Sequence, residues 1–502
     1  MRILLVYPEH PDTYWSFKHV LSLMSKKAIY PPLGLLTVAA MLPCEYEKKL
    51  IDMNVTRLSD KDILWADYVF ISAMLVQKPS VKEIINRCKK LNRKVVAGGP
   101  LFTTGYDDFT DVDHFVLGEA ENTLAPFLSD LTAGRAKPIY TSEERPDISE
   151  TPLPLWSLIK MEDYASMNIQ YSRGCPFDCE FCDIVTLFGR KLRIKKTQQF
   201  ISELDELYRL GWRGQVFIVD DNFIGNRKVL KAELLPAMVQ WSEKNGHPFY
   251  FLTEVSIDLA DDDELMQLMI EANFAQVFVG VETPNEESLD ECNKIPNKNR
   301  DMISSIRRMQ NRGLEVVGGF IVGFDNDPSS IFESQIDFIQ KSGIVVAMVN
   351  LLNAPPGSRL YHRLKEENRL VSEGTGDTTD GSINFIPRMN YKTLITGYKR
   401  MLETLYSPVY YYRRIQKFYE EFRPHLKRTS NLEYVYVISL IKSIWVLGIA
   451  DKARLHFWKT MFSTLFKYPQ FFWLSISFLI YRRHFYILAR KLNSAVPDTL
   501  TS

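Results

Sequence analysis

Three cysteines crowd one short stretch of this chain, Tyr171-Ser-Arg-Gly-Cys175-Pro-Phe-Asp-Cys179-Glu-Phe-Cys182. Thiolates spaced C-x3-C-x2-C can ligate three irons of a four-iron cluster from one loop, which leaves the fourth iron without a protein ligand in that segment. An open metal position lets a cluster bind and activate a small molecule, whereas a structural metal is normally closed by four ligands. Two other readings stay open from spacing alone: a zinc knuckle completed by a distant Cys or His, and three unrelated reduced thiols. Cys44, Cys88 and Cys292 stand apart, and each is expected to be a packing thiol rather than a catalyst. Six cysteines in 502 residues are too few for a disulfide framework and suit a reducing, cytoplasmic setting.

A loop of this kind needs a rigid carrier. Short strand-like runs recur at Ile169–Ser172, Val216–Asp220, Phe249–Val255, Gln276–Val281, Glu315–Ile321 and Ile344–Leu351, separated by amphipathic helices such as Thr197–Leu210 and Asp261–Ala272. The alternation predicts a full or partial β/α barrel over residues 161–365, with chemistry at the strand C-termini and the cysteine loop just after the first strand. Residues 1–137 show the same rhythm in shorter units, with strands at Ile3–Tyr7, Tyr68–Ala73, Val95–Ala97 and Phe115–Leu117, which predicts a doubly wound α/β domain. Its strand ends carry small or turn-forming groups, Ser72-Ala73-Met74, Gly98-Gly99-Pro100 and Gly118-Glu119. Glycine there admits a ligand close to the backbone, although a glycine pair also makes an ordinary tight turn. Residues 138–160, rich in Pro, Ser, Thr and Glu, read as a linker, and residues 366–502 as a mainly helical region dense in aromatic and basic side chains.

Lys plus Arg and Asp plus Glu both total 61, so no net charge steers the molecule toward nucleic acid. That neutrality is uneven: residues 391–502 hold 18 Lys/Arg against 6 Asp/Glu. Aromatic rings beside arginine, as in Tyr410-Tyr-Tyr-Arg-Arg, suit peripheral contact with the headgroups of an anionic membrane. A helical cap packed on the barrel with its charges in solvent is the alternative. No apolar run approaches the roughly 18 residues of a membrane-spanning helix, and the N-terminal run ends at Pro8 and Glu9, so it reads as a buried strand rather than a signal peptide.

The cysteine spacing, with Phe181 before the third cysteine, resembles the radical S-adenosylmethionine (SAM) enzymes. The resemblance implies a [4Fe-4S] cluster on Cys175, Cys179 and Cys182, whose open iron binds SAM, with Phe181 near the adenine. Further segments match in order. Asp220-Asp221-Asn222 resembles the segment that binds the SAM amine, and Glu254, Ser256 and Glu282 fall where the family places polar contacts to SAM. Gly319-Phe-Ile321-Val-Gly323 resembles the strand motif near adenine, and Ala354-Pro-Pro-Gly-Ser358 the loop after the sixth strand, with Ser358 in place of threonine.

An α/β domain ahead of such a barrel is similar to the cobalamin-binding subgroup, which implies that Ser72, Met74, Gly98, Gly99 and Glu119 border the corrinoid. The subgroup's Asp-x-His-x-x-Gly motif is absent, so His10 does not match a lower axial cobalt ligand. Segments such as Pro11-Asp-Thr-Tyr-Trp-Ser-Phe-Lys18 and Pro31–Pro43 are similar to the cobalamin-dependent group that includes the hopanoid C-2 methylases. The resemblance implies methyl transfer to an unactivated carbon of a lipid-like or other small hydrophobic substrate, with an electron donor of the flavodoxin or ferredoxin type. A cyclisation, oxidation or rearrangement with the same cofactors is the first alternative, and a non-catalytic cobalamin or redox sensor the second.

Overall fold

The computed structural model describes residues 1–424 and 434–495. Its first sheet holds β1 (Arg2–Tyr7), β2 (Glu47–Asp52), β3 (Tyr68–Ser72), β4 (Lys94–Gly98), β5 (His114–Val116) and β6 (Ile139–Tyr140), in spatial order 2-1-3-4-5-6 and parallel throughout. Alternate residues feed opposite faces: Leu4, Val6, Val69, Ile71, Val95 and Ala97 enter one apolar cluster, Ile3, Leu5, Phe70 and Val96 another. That is why these strands are apolar on both sides, as a sheet covered by helices on both faces must be. Strand β2, Glu-Lys-Lys-Leu-Ile-Asp, was not expected; it lies on the sheet edge, where its first four residues meet solvent at least in part and polar side chains are tolerated. Ile139–Tyr140 lies within the stretch read as a linker, and instead adds the sixth strand.

After β7 (Met167–Ile169), a short antiparallel ladder of β8 (Ser172–Arg173) and β9 (Arg193–Ile194) closes the base of the loop that carries the three cysteines. The second sheet runs β14-β13-β12-β11-β10-β7, all parallel, with β10 at Gly214–Ile218, β11 at Phe249–Val255, β12 at Phe274–Glu282, β13 at Glu315–Val322 and β14 at Ala347–Leu351. It is a partial barrel, open between β7 and β14.

An open barrel leaves an edge strand with unpaired carbonyls, and buried carbonyls need donors. The C-terminal helices supply them. Tyr398 donates its hydroxyl to the Val349 carbonyl at 2.9 Å, Tyr406 to that of Ala347, and Arg414 its guanidinium to that of Val345 at 3.1 Å. Tyr14, from the N-terminal domain, adds a second bond to Val349 at 3.0 Å. The three C-terminal donors recur every eight residues, on the helices Tyr391–Tyr406 and Pro408–Glu421, and address every second carbonyl along β14 and the residues just before it. The helical region therefore stands where a seventh strand would. No helix among the described residues is long and apolar enough to cross a membrane.

Arg414 is fully buried and also donates to the Leu405 carbonyl at 3.1 Å. Replacing it with methionine strands two carbonyls, so Arg414→Met should lower stability by about 2 kcal/mol and Tyr398→Phe by about 1 kcal/mol in denaturant titrations.

Candidate functional site

The cysteine loop is fastened at several points. Gly174 takes φ of +95°, and a Cβ there would meet the Gly189 and Lys191 carbonyls at 2.8 and 2.9 Å, so only glycine fits. The Cys175 amide donates to the Gly189 carbonyl at 3.3 Å and the Cys182 amide to that of Cys179 at 3.1 Å. Arg363, on the helix Arg359–Glu366, grips the Glu180 carboxylate through two bonds at 2.7 and 3.0 Å. Cys179 is buried and its neighbours half-buried, and burial pushes all three thiols up; the Cys179 charge also raises the thiols of Cys175 and Cys182. Unmetallated, they are held as thiols that iron must deprotonate on binding. Among the described residues no three Cys, His, Asp or Glu side chains converge on a single ion site. A mononuclear metal needs donors around one point, whereas a four-iron cluster takes each thiolate on a separate iron, so three mutually felt sulfurs on one pinned loop fit the cluster.

Lysine 294 answers this negative charge. Its ammonium meets the Glu282 carboxylate at 2.6 Å, lies 5.9 Å from the Phe181 ring centre, and lowers all three thiols. Burial works against its charge, but Glu282, Cys179 and Cys182 hold its pKa above the ordinary value. Sequence reasoning missed it because a lone Lys after Cys292-Asn carries no periodic or motif signal. The fold places it through the turn it sits in. Asn297 donates to the Gly280 and Val281 carbonyls at 3.0 and 2.8 Å, Asn293 to that of Asp178 at 3.0 Å, and the Glu180 amide donates to the Cys292 carbonyl at 2.9 Å. On the facing strand the β12–β13 register shifts between Gly280 and Glu282, and Glu282 adopts φ of +62°. Such a bulge re-aims a side chain. A Cβ on Gly280 would sit 2.4 Å from the Glu282 carboxylate, so glycine makes room for the pair.

The expected SAM-contacting residues divide in two. Asp220 accepts the Tyr171 amide at 2.7 Å and the Ser172 hydroxyl at 2.6 Å, and is fully enclosed; it anchors the loop from behind rather than facing a ligand. Asn222 likewise accepts the Ser256 amide at 3.2 Å, tying β10 to β11. Gly319 is required by the Phe278 ring, 2.8 Å from where its Cβ would lie, and Gly323, at φ of +107°, donates its amide to Asp327 at 2.8 Å. The Ile321 carbonyl accepts from Gln335 at 2.7 Å while its side chain stays half-exposed. That leaves Asp221 and Glu254. One Asp221 oxygen has no partner, and Glu254 has neither hydrogen bond nor ion pair. Burial, then Asp220, pushes Asp221 up to about 7; burial, then Asp221, pushes Glu254 up to about 8. The free oxygen of Asp221 and the carboxylate of Glu254, inside the barrel beside the cysteine loop, could hold the ammonium and offset the sulfonium of SAM.

In the first domain, Gly98 and Gly99 are fixed by packing: a Cβ on Gly98 would meet the Val116 carbonyl at 2.7 Å, and one on Gly99, at φ of +87°, the Ser72 hydroxyl at 2.5 Å. The ledge beside them is open. Met74 is 43% exposed, and nothing lies within 4 Å of a Cβ on Gly118, which fits a flat ligand at the strand C-termini. Glu119 has another task. Its carboxylate accepts from Arg173 and Arg193, each at 2.8 Å, and so joins the first domain to the β8–β9 ladder instead of lining that ledge. His10 shares a 2.9 Å hydrogen bond with the Tyr7 hydroxyl, and burial lowers its pKa to about 4, so its ring is neutral and engaged. Cys88 and Cys292 are buried packing thiols as expected, but Cys44 is exposed, with its thiol 3.6 Å from the Glu45 carboxylate.

Comparisons with known proteins follow the same division. Residues 23–128 match the B12 binding domain family, 169–339 the Radical SAM superfamily, and 358–496 a domain of unknown function. An uncharacterized methyltransferase of Synechocystis sp. is 40% identical over all of this chain and 95% of its own length. The hopanoid C-2 methylase of Rhodopseudomonas palustris is 33% identical, covering 91% of this chain and 88% of its own. Among solved structures, the cobalamin-dependent S-adenosylmethionine radical enzyme OxsB with aqua-cobalamin bound superposes with a TM-score of 0.64 at 14% identity, over 99% of this chain and 81% of that one. The chain belongs to the cobalamin-binding radical SAM enzymes, in the methyltransferase group that includes hopanoid C-2 methylase. Its cofactors are accordingly a [4Fe-4S] cluster, SAM and cobalamin.

The raised carboxylates predict a pH dependence. A group whose folded pKa lies above its unfolded one binds more protons when folded, so the stability of the cofactor-free protein should fall as pH rises from the ordinary carboxylate range through about 8. SAM supplies the missing positive charge, so its stabilisation should grow over the same window. Thermal melts with and without SAM check both, and Glu254→Gln should flatten both slopes.

Proposed function

We propose that the enzyme transfers a methyl group to an unactivated carbon of a lipid-like substrate, in a reducing compartment such as the cytoplasm. The observation that carries this reading is a cavity of about 640 Å³ inside the barrel, on the inward face of the strands that hold Glu254 and Glu282. Along β11 the inward residues run Tyr250, Leu252, Glu254, and along β12 Gln276, Phe278, Gly280. The lower members of each series line the cavity and the upper ones lie at the acidic site. Trp15 stacks on Phe217 at 6.2 Å and tilts against Phe278 at 5.2 Å, while Tyr30 meets Phe217 at 5.2 Å. Trp15, Tyr30 and Phe278 line the cavity and give it an aromatic wall suited to an apolar body. A relative named for methylating a hopanoid supports the substrate class.

When bound, the cluster and SAM supply a hydrogen-abstracting radical and cobalamin supplies the methyl group, with electrons from a flavodoxin or ferredoxin type donor. The chain's own work is to bind and orient. Asp221 and Glu254 hold the SAM ammonium, Lys294 offsets the thiolate charge, Phe181 stands by the adenine, and the ledge at Ser72, Met74 and Gly118 receives the corrinoid. Glu315 lines the far end of the cavity with one oxygen unpartnered, and burial pushes it up to about 7, so it suits a hydroxyl or amine on an otherwise apolar ligand.

Anaerobic turnover with a lipid and isoprenoid panel tests the reading by mass spectrometry. The expected outcome is a product heavier by one methyl group, with both 5′-deoxyadenosine and S-adenosylhomocysteine formed and all three lost in Cys179→Ala. Deoxyadenosine without S-adenosylhomocysteine would assign a non-methylating reaction. Val317→Trp, which narrows the cavity, should reduce product formation at least tenfold while leaving substrate-independent SAM cleavage near its original rate.

A further inference from the structure

Two consecutive helical segments carry an apolar surface that the other described residues leave exposed. In residues 434–450, Val437, Ile441, Trp445 and Ile449 recur every fourth residue and face solvent, Ile441 at 62% exposure and Trp445 at 66%. In the helix Arg454–Lys467, Leu455, Phe462 and Phe466, spaced seven and four residues apart, also face solvent, Leu455 at 77% and Phe466 at 79%. The two segments are locked together: the Trp458 indole donates to the Gly448 carbonyl at 2.9 Å, and a Cβ on Gly448 would meet the Phe457 ring at 2.9 Å. Their inner residues, Leu447, Phe457 and Met461, are buried in the main core, so the outer stripes form one platform.

The charge around this platform selects its partner. Between residues 434 and 495 the one acidic residue is Asp451, which is enclosed and paired with Arg483 at 3.0 Å. Lys452, Arg454, Lys459 and Lys467 are exposed beside the stripes. Two copies meeting through this face would set lysine against lysine with no acid to answer them. A bilayer surface with anionic headgroups takes both parts at once, since aromatic and aliphatic side chains enter the acyl boundary while the ammonium groups meet phosphate. Neither segment is long and apolar enough to cross, so the fit is to lying on the membrane.

We propose that residues 437–467 dock the enzyme on an anionic lipid surface. The docked face adjoins the barrel cavity. Ser439, on the first segment, and Gln470, just past the second, line it together with Trp473 and Leu474. A substrate dissolved in the bilayer would then reach the barrel without crossing water; that last step rests on the lipid-like substrate proposed above, whereas the docking does not.

Co-sedimentation of the full-length chain with vesicles tests it. Phosphatidylcholine vesicles containing phosphatidylglycerol should bring the protein down, pure phosphatidylcholine should bind at least tenfold more weakly, and raised salt should release it. The double variant Trp445→Glu, Phe466→Glu should lose at least tenfold in binding to the mixed vesicles while its melting temperature and SAM binding stay unchanged, because both side chains are exposed. No binding to either vesicle, or equal binding by the variant, would overturn the proposal. So would a wild-type dimer in light scattering that the variant abolishes, which would give the face to a second copy. Vesicle binding is read without turnover, so it can hold even if no lipid is methylated.

Discussion

Asp221 and Glu254 lie inside the barrel within each other's field, next to three cysteines that would become anionic on binding iron, and among the described residues the cation that answers them is Lys294. Its charge is already shared with Glu282. With iron bound, the site would carry more negative charge than Lys294 neutralises; without it, burial raises the pKa of Asp221 and Glu254 and favours their protonated forms. Much local detail follows from managing that excess. Gly280 and the bulge before Glu282 make space for the Lys294 pair, and the turn from Cys292 to Asn297 ties Lys294 to both the cysteine loop and β12. Asp220 is turned away and consumed by backbone and hydroxyl donors. What is left unpaired has the sign and placement to receive a sulfonium cation with an ammonium group.

The same site needs a dry interior, which a six-stranded partial barrel does not provide alone. Tyr398 and Tyr406 take up carbonyls of the exposed strand β14 and Arg414 that of Val345 just before it, so the C-terminal helices are part of the barrel wall. From the other side, the segment after β1 sends Tyr14 to the same strand and Trp15 into the lumen. Glu119 with Arg173 and Arg193 pins the first domain to the ladder beneath the cysteine loop. The domain with the open ledge at Met74 and Gly118 is thereby fixed to the cysteine loop.

The three-layer division of the chain and most barrel strands were legible because parallel buried strands leave continuous β-branched runs at regular intervals. Strand β2 was not, since an edge strand may carry Glu-Lys-Lys, and β6 was hidden in Pro-rich sequence. The cysteine loop was legible from spacing. Which acids face the ligand was not: Asp220 and Asp221 are adjacent, and only the fold distinguishes the one that accepts the Tyr171 amide from the one with a free oxygen. Lys294 was invisible for the same reason, being brought to Glu282 by a turn. The eight-residue recurrence of Tyr398, Tyr406 and Arg414 was readable in principle, but its meaning depends on an edge strand some fifty residues earlier in the chain.

Electron paramagnetic resonance of the reduced, reconstituted protein titrated with SAM tests most directly whether the cluster's open iron and the two free carboxylates form one site. The expected result is a cluster signal that changes shape as SAM binds, with Asp221→Asn, Glu254→Gln retaining the cluster but needing at least tenfold more SAM to produce the change. A signal indifferent to SAM, or a double variant that responds at the wild-type concentration, would contradict it.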